Sequence, residues 1–180
     1  YATGVQTVLG YALDAGGASH QVEASVRYHR DEEDRFQNDD RYQMVDGVMT
    51  LTSAGAPGTQ DNRIGEAAAW ALYVRDTISW DRWSVTPGLR YETIDLERTN
   101  YGTADPDRNG PPAVTRSTVD VLLPGIGATY ELNDDWRLVA GVHRGFVNPA
   151  PGSDAYAEES WNFEAGFRFD RGAASVEAMA

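Results

Sequence analysis

The chain contains no lysine and no cysteine, and its longest uninterrupted apolar run, Ala67 to Val74, is far too short to cross a bilayer as a helix. Each absence excludes something. Without cysteine there are no disulfides, no thiolate metal ligands and no thiol nucleophile, and the redox compartment stays open. Without lysine all 15 cations are arginine, set against 28 carboxylates for a net charge of −13. So acidic a chain does not track a phosphate backbone, which makes nucleic acid a poor match as partner. Tyr1 to Leu13 has no basic start leading into an apolar stretch, so no signal peptide is read there. What is present is aromatic: 5 Trp, 9 Tyr and 5 Phe in 180 residues, too many for a disordered chain.

Two-residue alternation dominates the rest. Val5, Thr7, Leu9, Tyr11 and Leu13 share a face. Val22, Ala24, Val26 and Tyr28 lie opposite Gln21, Glu23, Ser25, Arg27 and His29. Trp70, Leu72, Val74 and Ile78 lie opposite Ala71, Tyr73, Arg75, Thr77 and Ser79. The same pattern recurs in Trp83–Tyr91, Leu122–Leu132, Trp136–Phe146 and Trp161–Phe169, and begins again at Ala174–Ala180. That predicts about eight strands and no helix; the helix-prone stretch Glu66–Ala71 is outweighed by the alternation that follows it. Asp76 and Arg144 are charges that fall on the apolar face by parity, each near a strand end where a bulge would move it.

The connections alternate short and long. Asp14–Ala18, Asp81-Arg82, Asn133–Asp135 and Asp170–Gly172 are tight. Arg30–Arg63 and Arg98–Ser117 are long, and Val147–Ala157 is intermediate. Sorting of turn lengths by parity is expected of an outer-membrane barrel, whose short turns lie on one side and long loops on the other. The strands approach the ~9–11 residues of a tilted membrane-spanning strand. Trp80, Trp83, Tyr130, Trp136 and Phe169 border short turns, as an interfacial girdle does. Arg27, Arg75, Arg90, Glu92, Glu131, Arg137, Glu164 and Arg168 form the polar face.

Several stretches together resemble one family. Tyr73-Val-Arg-Asp-Thr-Ile78 followed by Trp83-Ser-Val-Thr-Pro-Gly-Leu-Arg-Tyr-Glu92 looks like paired strands of TonB-dependent outer-membrane receptors. Leu123–Tyr130, Val139–Phe146 with Asn148–Gly152, and Glu158–Arg168 resemble the strands that follow in that family, in its order. Tyr28–Asp34 and Leu51–Ala56 are similar to its ferric dicitrate receptor branch. The resemblance implies an all-β, antiparallel, up-and-down transmembrane β-barrel segment: about eight strands of a larger, ~22-stranded barrel. Residues 1–180 are then a partial barrel domain, with the plug domain and remaining strands expected outside it. An open sheet of this kind is not expected to fold alone in water, since it leaves two unpaired edges and one greasy face. The resemblance further implies location in the outer membrane of a Gram-negative bacterium, contact with its lipid, and uptake of a ferric chelate such as ferric citrate or another siderophore. It also implies coupling to the TonB complex through the plug.

No cofactor is expected beyond the transported chelate, and no enzymatic activity, because no G-x-S-x-G or other nucleophile motif appears. Asp105-Pro-Asp-Arg-Asn-Gly110 opens like a calcium loop, but position twelve is Arg116 rather than Glu and Pro106 and Pro111 intrude, so a turn-rich loop is expected. Asp31-Glu-Glu-Asp34 with Asp39-Asp40 reads as a solvated strand end and loop. His20, His29 and His143 lie in different strands without metal-binding spacing, and no metal site is expected. A carboxylate-rich chelate calls for arginine, whose fork donates paired hydrogen bonds. Candidate ligand residues are therefore those near the long loops: Arg27, His29, Arg98, Arg116 and His143. Two rival architectures remain at this point: a complete small eight-stranded barrel with a structural or adhesion role, and a soluble β-sandwich binding module.

Overall fold

The computed structural model describes residues 1–153 and 155–180. Its regular elements are ten strands: β1 Ala2–Ala15, β2 Ala18–Gln37, β3 Arg41–Val45, β4 Val48–Ser53, β5 Asp61–Trp80, β6 Trp83–Asn100, β7 Ala113–Glu131, β8 Trp136–Val147, β9 Glu158–Arg171 and β10 Ala174–Met179. Eight form one antiparallel sheet in the order β1-β2-β5-β6-β7-β8-β9-β10, and β3 and β4 form a separate hairpin. The sheet is a single layer with β1 and β10 as its edges, so among the described residues there is neither a second packed sheet nor a closed eight-stranded ring. Glu66–Ala71 is strand, as the alternation requires.

The strands run farther than the sequence pattern indicates. β2 and β5 reach to Gln37 and back to Asp61, pairing throughout, and β6 and β7 pair as far as Asn100↔Ala113. The long connections shrink accordingly to residues 38–60 and 101–112, and the first contains the β3–β4 hairpin. Its turn is Asp46-Gly47, both at positive φ (49° and 80°), the left-handed geometry a two-residue hairpin needs. The first and last tight turns narrow to Gly16-Gly17 and Gly172-Ala173.

No register shift interrupts the large sheet among the described residues. One row therefore runs Val5–Tyr28–Trp70–Thr93–Asp120, and every second residue of each strand shares its face. Asp76 and Arg144 are not moved by bulges. Each has a polar partner instead: His20 Nδ1 lies 2.7 Å from Asp76 Oδ2, and Arg144 pairs with Glu159.

The apolar face carries two rows of aromatics. Near the short turns Trp83 stacks against Tyr130 (4.6 Å between centroids), and Trp136 against Phe167 and Phe169 (5.4 and 4.8 Å). Toward the long loops Tyr28 meets Trp70 at 4.9 Å. Tyr91, opposite Leu72, and Trp161, opposite Arg144, lie on the same face. Between the two rows stand Ala24, Val26, Leu72, Val74, Leu89, Ile126 and Val142. Nothing described packs on this band; Leu9 is 71% and Phe163 75% exposed. Above the second row the same face turns charged, from Arg30 and Glu66 to Glu97 and Arg116.

Pro124 shapes the opposite end of the sheet. The β7–β8 ladder stops at Gly125↔His143. Leu122 and Pro124 point their backbone groups toward β8, and proline has no N–H to donate. The Leu122 carbonyl is taken instead by the Arg144 guanidinium at 3.1 Å. β8 leaves β7 here, and Phe146, which strict parity would place on the apolar face, packs on the polar side against the buried cluster Ala69, Ile94 and Leu96.

Residues 101–112 fold back over the apolar-face side of β2 and β5. Asn62 is the anchor and is fully buried. Its Nδ2 donates to the Gly102 and Asp105 carbonyls (3.2 and 2.8 Å), and its Oδ1 accepts from Arg108 Nε (2.7 Å). Arg108 also forks onto Asp34 (2.6 and 3.0 Å) and lies over Phe36 and Tyr101. Asp105, the first residue of the calcium-like motif, accepts the Asn109 and Gly110 amides (3.1 and 2.8 Å). Its carboxylate thus closes a turn, and no group of three metal-ligating side chains is found among the described residues.

Two outcomes are expected. Asn62→Ala removes one donor from each of the two carbonyls and the acceptor of Arg108 Nε, at a cost of roughly 1–3 kcal/mol, so the Asn109 and Gly110 amides should exchange at least about tenfold faster in hydrogen-exchange measurements. The Arg108 hydrogen bonds hold the Asp34 carboxyl below its ordinary value. A depressed carboxylate stabilises above its unfolded pKa and stops doing so as pH falls through its folded value. The same amides should therefore stay protected above about pH 4 and lose protection below it, and Asp34→Asn should remove that dependence.

Candidate functional site on the polar face of the sheet

The polar face is the side of Arg27, His29, Asp31, Glu33 and Arg35 on β2. Register brings β5 and β6 beside it: Glu33 lies opposite Gly65, and Gly65 opposite Arg98; Arg35 lies opposite Arg63, and Arg63 opposite Asn100. Gly65 contributes no side chain to its row, so a cavity of about 530 Å³ opens there, walled by Glu33, Arg35, Arg63 and Arg98. Two guanidiniums standing directly opposite each other repel. Each is tempered by a carboxylate two residues away: Arg35 Nε lies 2.9 Å from Glu33 Oε1, and Arg63 Nη2 lies 3.1 Å from Asp61 Oδ2. Arg98 has no such neighbour among the described residues, and its buried Nε has no hydrogen-bond partner there.

A roof comes from the connection after β8. Because β8 turns toward the polar face beyond Pro124, residues 150–153 pass over this cavity. Pro151 sits above Gly65, where a Cβ would meet its ring at 3.7 Å. Gly152, at φ +74°, presses so close to Arg98 that a Cβ would come within 2.6 Å of Cδ.

The five residues singled out from sequence are scattered. Arg98 alone belongs to the roofed cavity. Arg27 and His29 line a neighbouring cavity between β1 and β2, where His29 Nε2 lies 3.3 Å from Asp31 Oδ2. Asp31 is common to both cavities. His143 lies lower, beside a groove of about 620 Å³ floored by Gly88, Gly125, Gly127 and Gly141 and rimmed by Arg75, Arg90 and Glu164. Arg116 is on the other face altogether: it stands opposite Glu97, to which its Nε donates at 2.8 Å, because the register places both in the row of the apolar side. Arg35 and Arg63 were missed. Arg27, His29, Asp31, Glu33 and Arg35 share one face only if β2 continues through the acidic stretch, where the opposite face is polar too and no alternation marks the strand.

Chemically the roofed cavity offers three guanidiniums with donors to spare, carboxylates at its edge and a floor without side chains. That arrangement accepts an anion with several oxygen atoms and a hydroxyl or two.

Comparison with known proteins gives a consistent result. Residues 1–179 match the family described as TonB dependent receptor-like, beta-barrel. The pesticin receptor of Yersinia pestis is 27% identical over 126 residues, which cover 63% of this chain and 18% of the receptor. The ferric citrate transporter FecA in its unliganded form superposes over 99% of this chain and 26% of its own, with TM-score 0.76 and 21% identity. The siderophore receptor PiuA from Acinetobacter baumannii does so over 99% and 30%, with TM-score 0.74 and 14% identity. At these identities the structural likeness speaks for fold, and the chain spans less than a third of each of these relatives.

If Gly152 lets the roof rest on Arg98, Gly152→Val should lift it. Limited proteolysis should then cut within residues 148–157 several times faster than in the parent, while the β5–β6 strands stay protected.

Proposed function

The chain belongs to the TonB dependent receptor-like β-barrel family, and from that membership we propose that it forms a length of barrel wall in a receptor importing a ferric chelate across the outer membrane. The family's members are outer-membrane proteins of Gram-negative bacteria. In this reading the apolar face meets lipid hydrocarbon between the two aromatic rows, as the apolar belt of such barrels does between its aromatic girdles. The polar face lines the lumen. The plug domain and remaining strands lie outside residues 1–180, and energy reaches the receptor from TonB through the plug.

The roofed cavity is the ligand-contacting part of this wall. The observation that carries it is the convergence of Arg35, Arg63 and Arg98 around Gly65. An anionic chelate relieves the repulsion between Arg35 and Arg63 and gives Arg98 the acceptor it lacks among the described residues. Arg27 and His29 extend the surface toward β1, and His143 lies deeper. Ferric citrate fits this chemistry, being anionic and rich in carboxylates. Capture under the Pro151 roof precedes release past the plug.

The test uses the full-length receptor in detergent, with tryptophan fluorescence following titration by ferric citrate and by a neutral ferric hydroxamate. Ferric citrate should bind and the neutral chelate should bind far more weakly. Arg98→Ala should weaken ferric citrate about tenfold or more through loss of a charge-assisted contact, and Gly65→Trp should abolish binding by filling the floor. Equal binding by the parent and both variants would remove this cavity from the ligand's path; failure to bind any ferric chelate would overturn the transport reading.

A further inference from the structure

Asn109-Gly110 is the one Asn-Gly step in the chain. Such a step loses its side-chain nitrogen more readily than other asparagine steps. The backbone nitrogen that follows attacks the asparagine side-chain carbonyl, and glycine, having no Cβ, neither blocks the approach nor restricts the dihedrals it needs. Both residues are exposed, so water reaches them. In a free chain this step would be short-lived.

The fold holds the attacking nitrogen elsewhere. Gly110 N donates to Asp105 Oδ2 at 2.8 Å, and Asn109 N donates to Oδ1 of the same carboxylate at 3.1 Å. The fit is close: a Cβ on Gly110 would come within 3.2 Å of Oδ2. Attack requires Gly110 N to give up its proton and to swing toward Asn109 Cγ. A hydrogen bond to a carboxylate opposes both steps, because the negative charge disfavours an amide anion beside it and the bond fixes the direction of the N–H. Asp105 keeps this position while the loop is docked. Its own carbonyl accepts from Asn62 Nδ2 (2.8 Å) and from Arg108 N (3.1 Å), and Arg108 is held in turn by Asn62 and Asp34. The clamp on Gly110 thus ends a chain of contacts that begins at the buried anchor on β5.

We propose that Asn109 is a site of spontaneous deamidation that docking of residues 101–112 holds shut. When the loop lifts from Asn62, solvent hydroxide takes the proton of Gly110 N. That nitrogen bonds to Asn109 Cγ, and the side-chain nitrogen leaves as ammonia, giving a succinimide. Water then opens the ring at either carbonyl, to aspartate or to isoaspartate. The balance is a water consumed and an ammonia released, with no change of oxidation state. Both products place a new carboxylate beside Asp105 and Asp107. Isoaspartate also lengthens the backbone by a methylene between Arg108 and Gly110, so the Asp105 carboxylate no longer spans both amides. Modification therefore keeps the loop from docking again, and a transient opening becomes a permanent one. None of this depends on which ligand the receptor takes.

The test incubates the full-length receptor in detergent at mildly alkaline pH, beside a free peptide of residues 103–115, and follows conversion at position 109 by peptide mapping. Mapping by site is needed because Asp46-Gly47 can close the same ring. The peptide should convert readily, and the receptor at least about tenfold more slowly, since reaction waits on local opening. Asn62→Ala, which frees the loop, and Asp105→Ala, which frees the amide with the anchor kept, should each bring the receptor close to the rate of the peptide. Conversion of the parent as fast as the peptide would overturn the proposal, as would both variants converting as slowly as the parent. Folding of each variant is read from its heat-modifiable electrophoretic mobility, and Asp105→Ala, at an exposed turn, serves if Asn62→Ala fails to fold. Chymotrypsin should also cut after Tyr101 several times faster in the isoaspartate fraction than in unmodified receptor; equal cleavage would overturn the permanent release.

Discussion

Everything in this molecule follows from one uninterrupted hydrogen-bond register. Eight strands pair without a slipped residue, so a side chain's number fixes its face along nearly 20 residues of strand. Backbone pairing does this because a sheet alternates strictly and a one-residue slip would invert every contact. The apolar band, the two aromatic rows, the arginine cavity and the charged stretch above the second row are four readings of the same alternation at different heights. Little else is available to hold the sheet. Among the described residues only five hydrophobic side chains are buried, and all belong to the polar face.

Two departures from that regularity create the functional geometry. Proline at 124 ends one ladder early and lets β8 turn inward, carrying Phe146 to the buried cluster and residues 150–153 over Arg98. The Asn62–Arg108–Asp34 network draws the next long loop to the other side. Arg108 holds a positive φ of 54°, a conformation costly for a side chain of its size, and does so with three side-chain hydrogen bonds to Asn62 and Asp34 and two aromatic rings beside it. The two loops thus fold to opposite faces, residues 150–153 over the arginine cavity and residues 101–112 over β2 and β5.

How much of this was legible from sequence depended on contrast between faces. Where one face is apolar and the other polar, alternation was plain, and the short turns and seven well-marked strands could be read from residues such as Val22–Tyr28 and Trp161–Phe169. Above the second aromatic row both faces are polar. In Arg30–Gln37 every residue but Phe36 is charged or amide-bearing, the period-two signal vanishes, and a strand looks like a loop. The Arg35–Arg63 pair was hidden for that reason. The second aromatic row was hidden too, since Tyr28 and Trp70 fall in mid-strand once the strands are given their full length. The β3–β4 hairpin did carry a signal, Asp46-Gly47 between Val45 and Val48, but one too short to stand against a long polar stretch. No local pattern could have put Arg116 on the far face or Phe146 on the near one. The first needs the register with Glu97, the second the consequence of a proline on the neighbouring strand.

The two-residue turns at one end bear on how such a chain can change over time. Gly16-Gly17 and Asp81-Arg82 join strands that pair to their last residues, so a single inserted residue there must either widen the tight turn itself or slip the register and exchange the strand's two faces together. The far end has no such constraint, because residues 38–60, 101–112 and 148–157 can lengthen without disturbing the pairing below them. Variation in length is therefore confined to one rim of the wall. In the proposed function that rim holds the ligand-contacting surface, so a lineage of such proteins would diverge in what it recognises while the paired strands below are inherited almost unaltered.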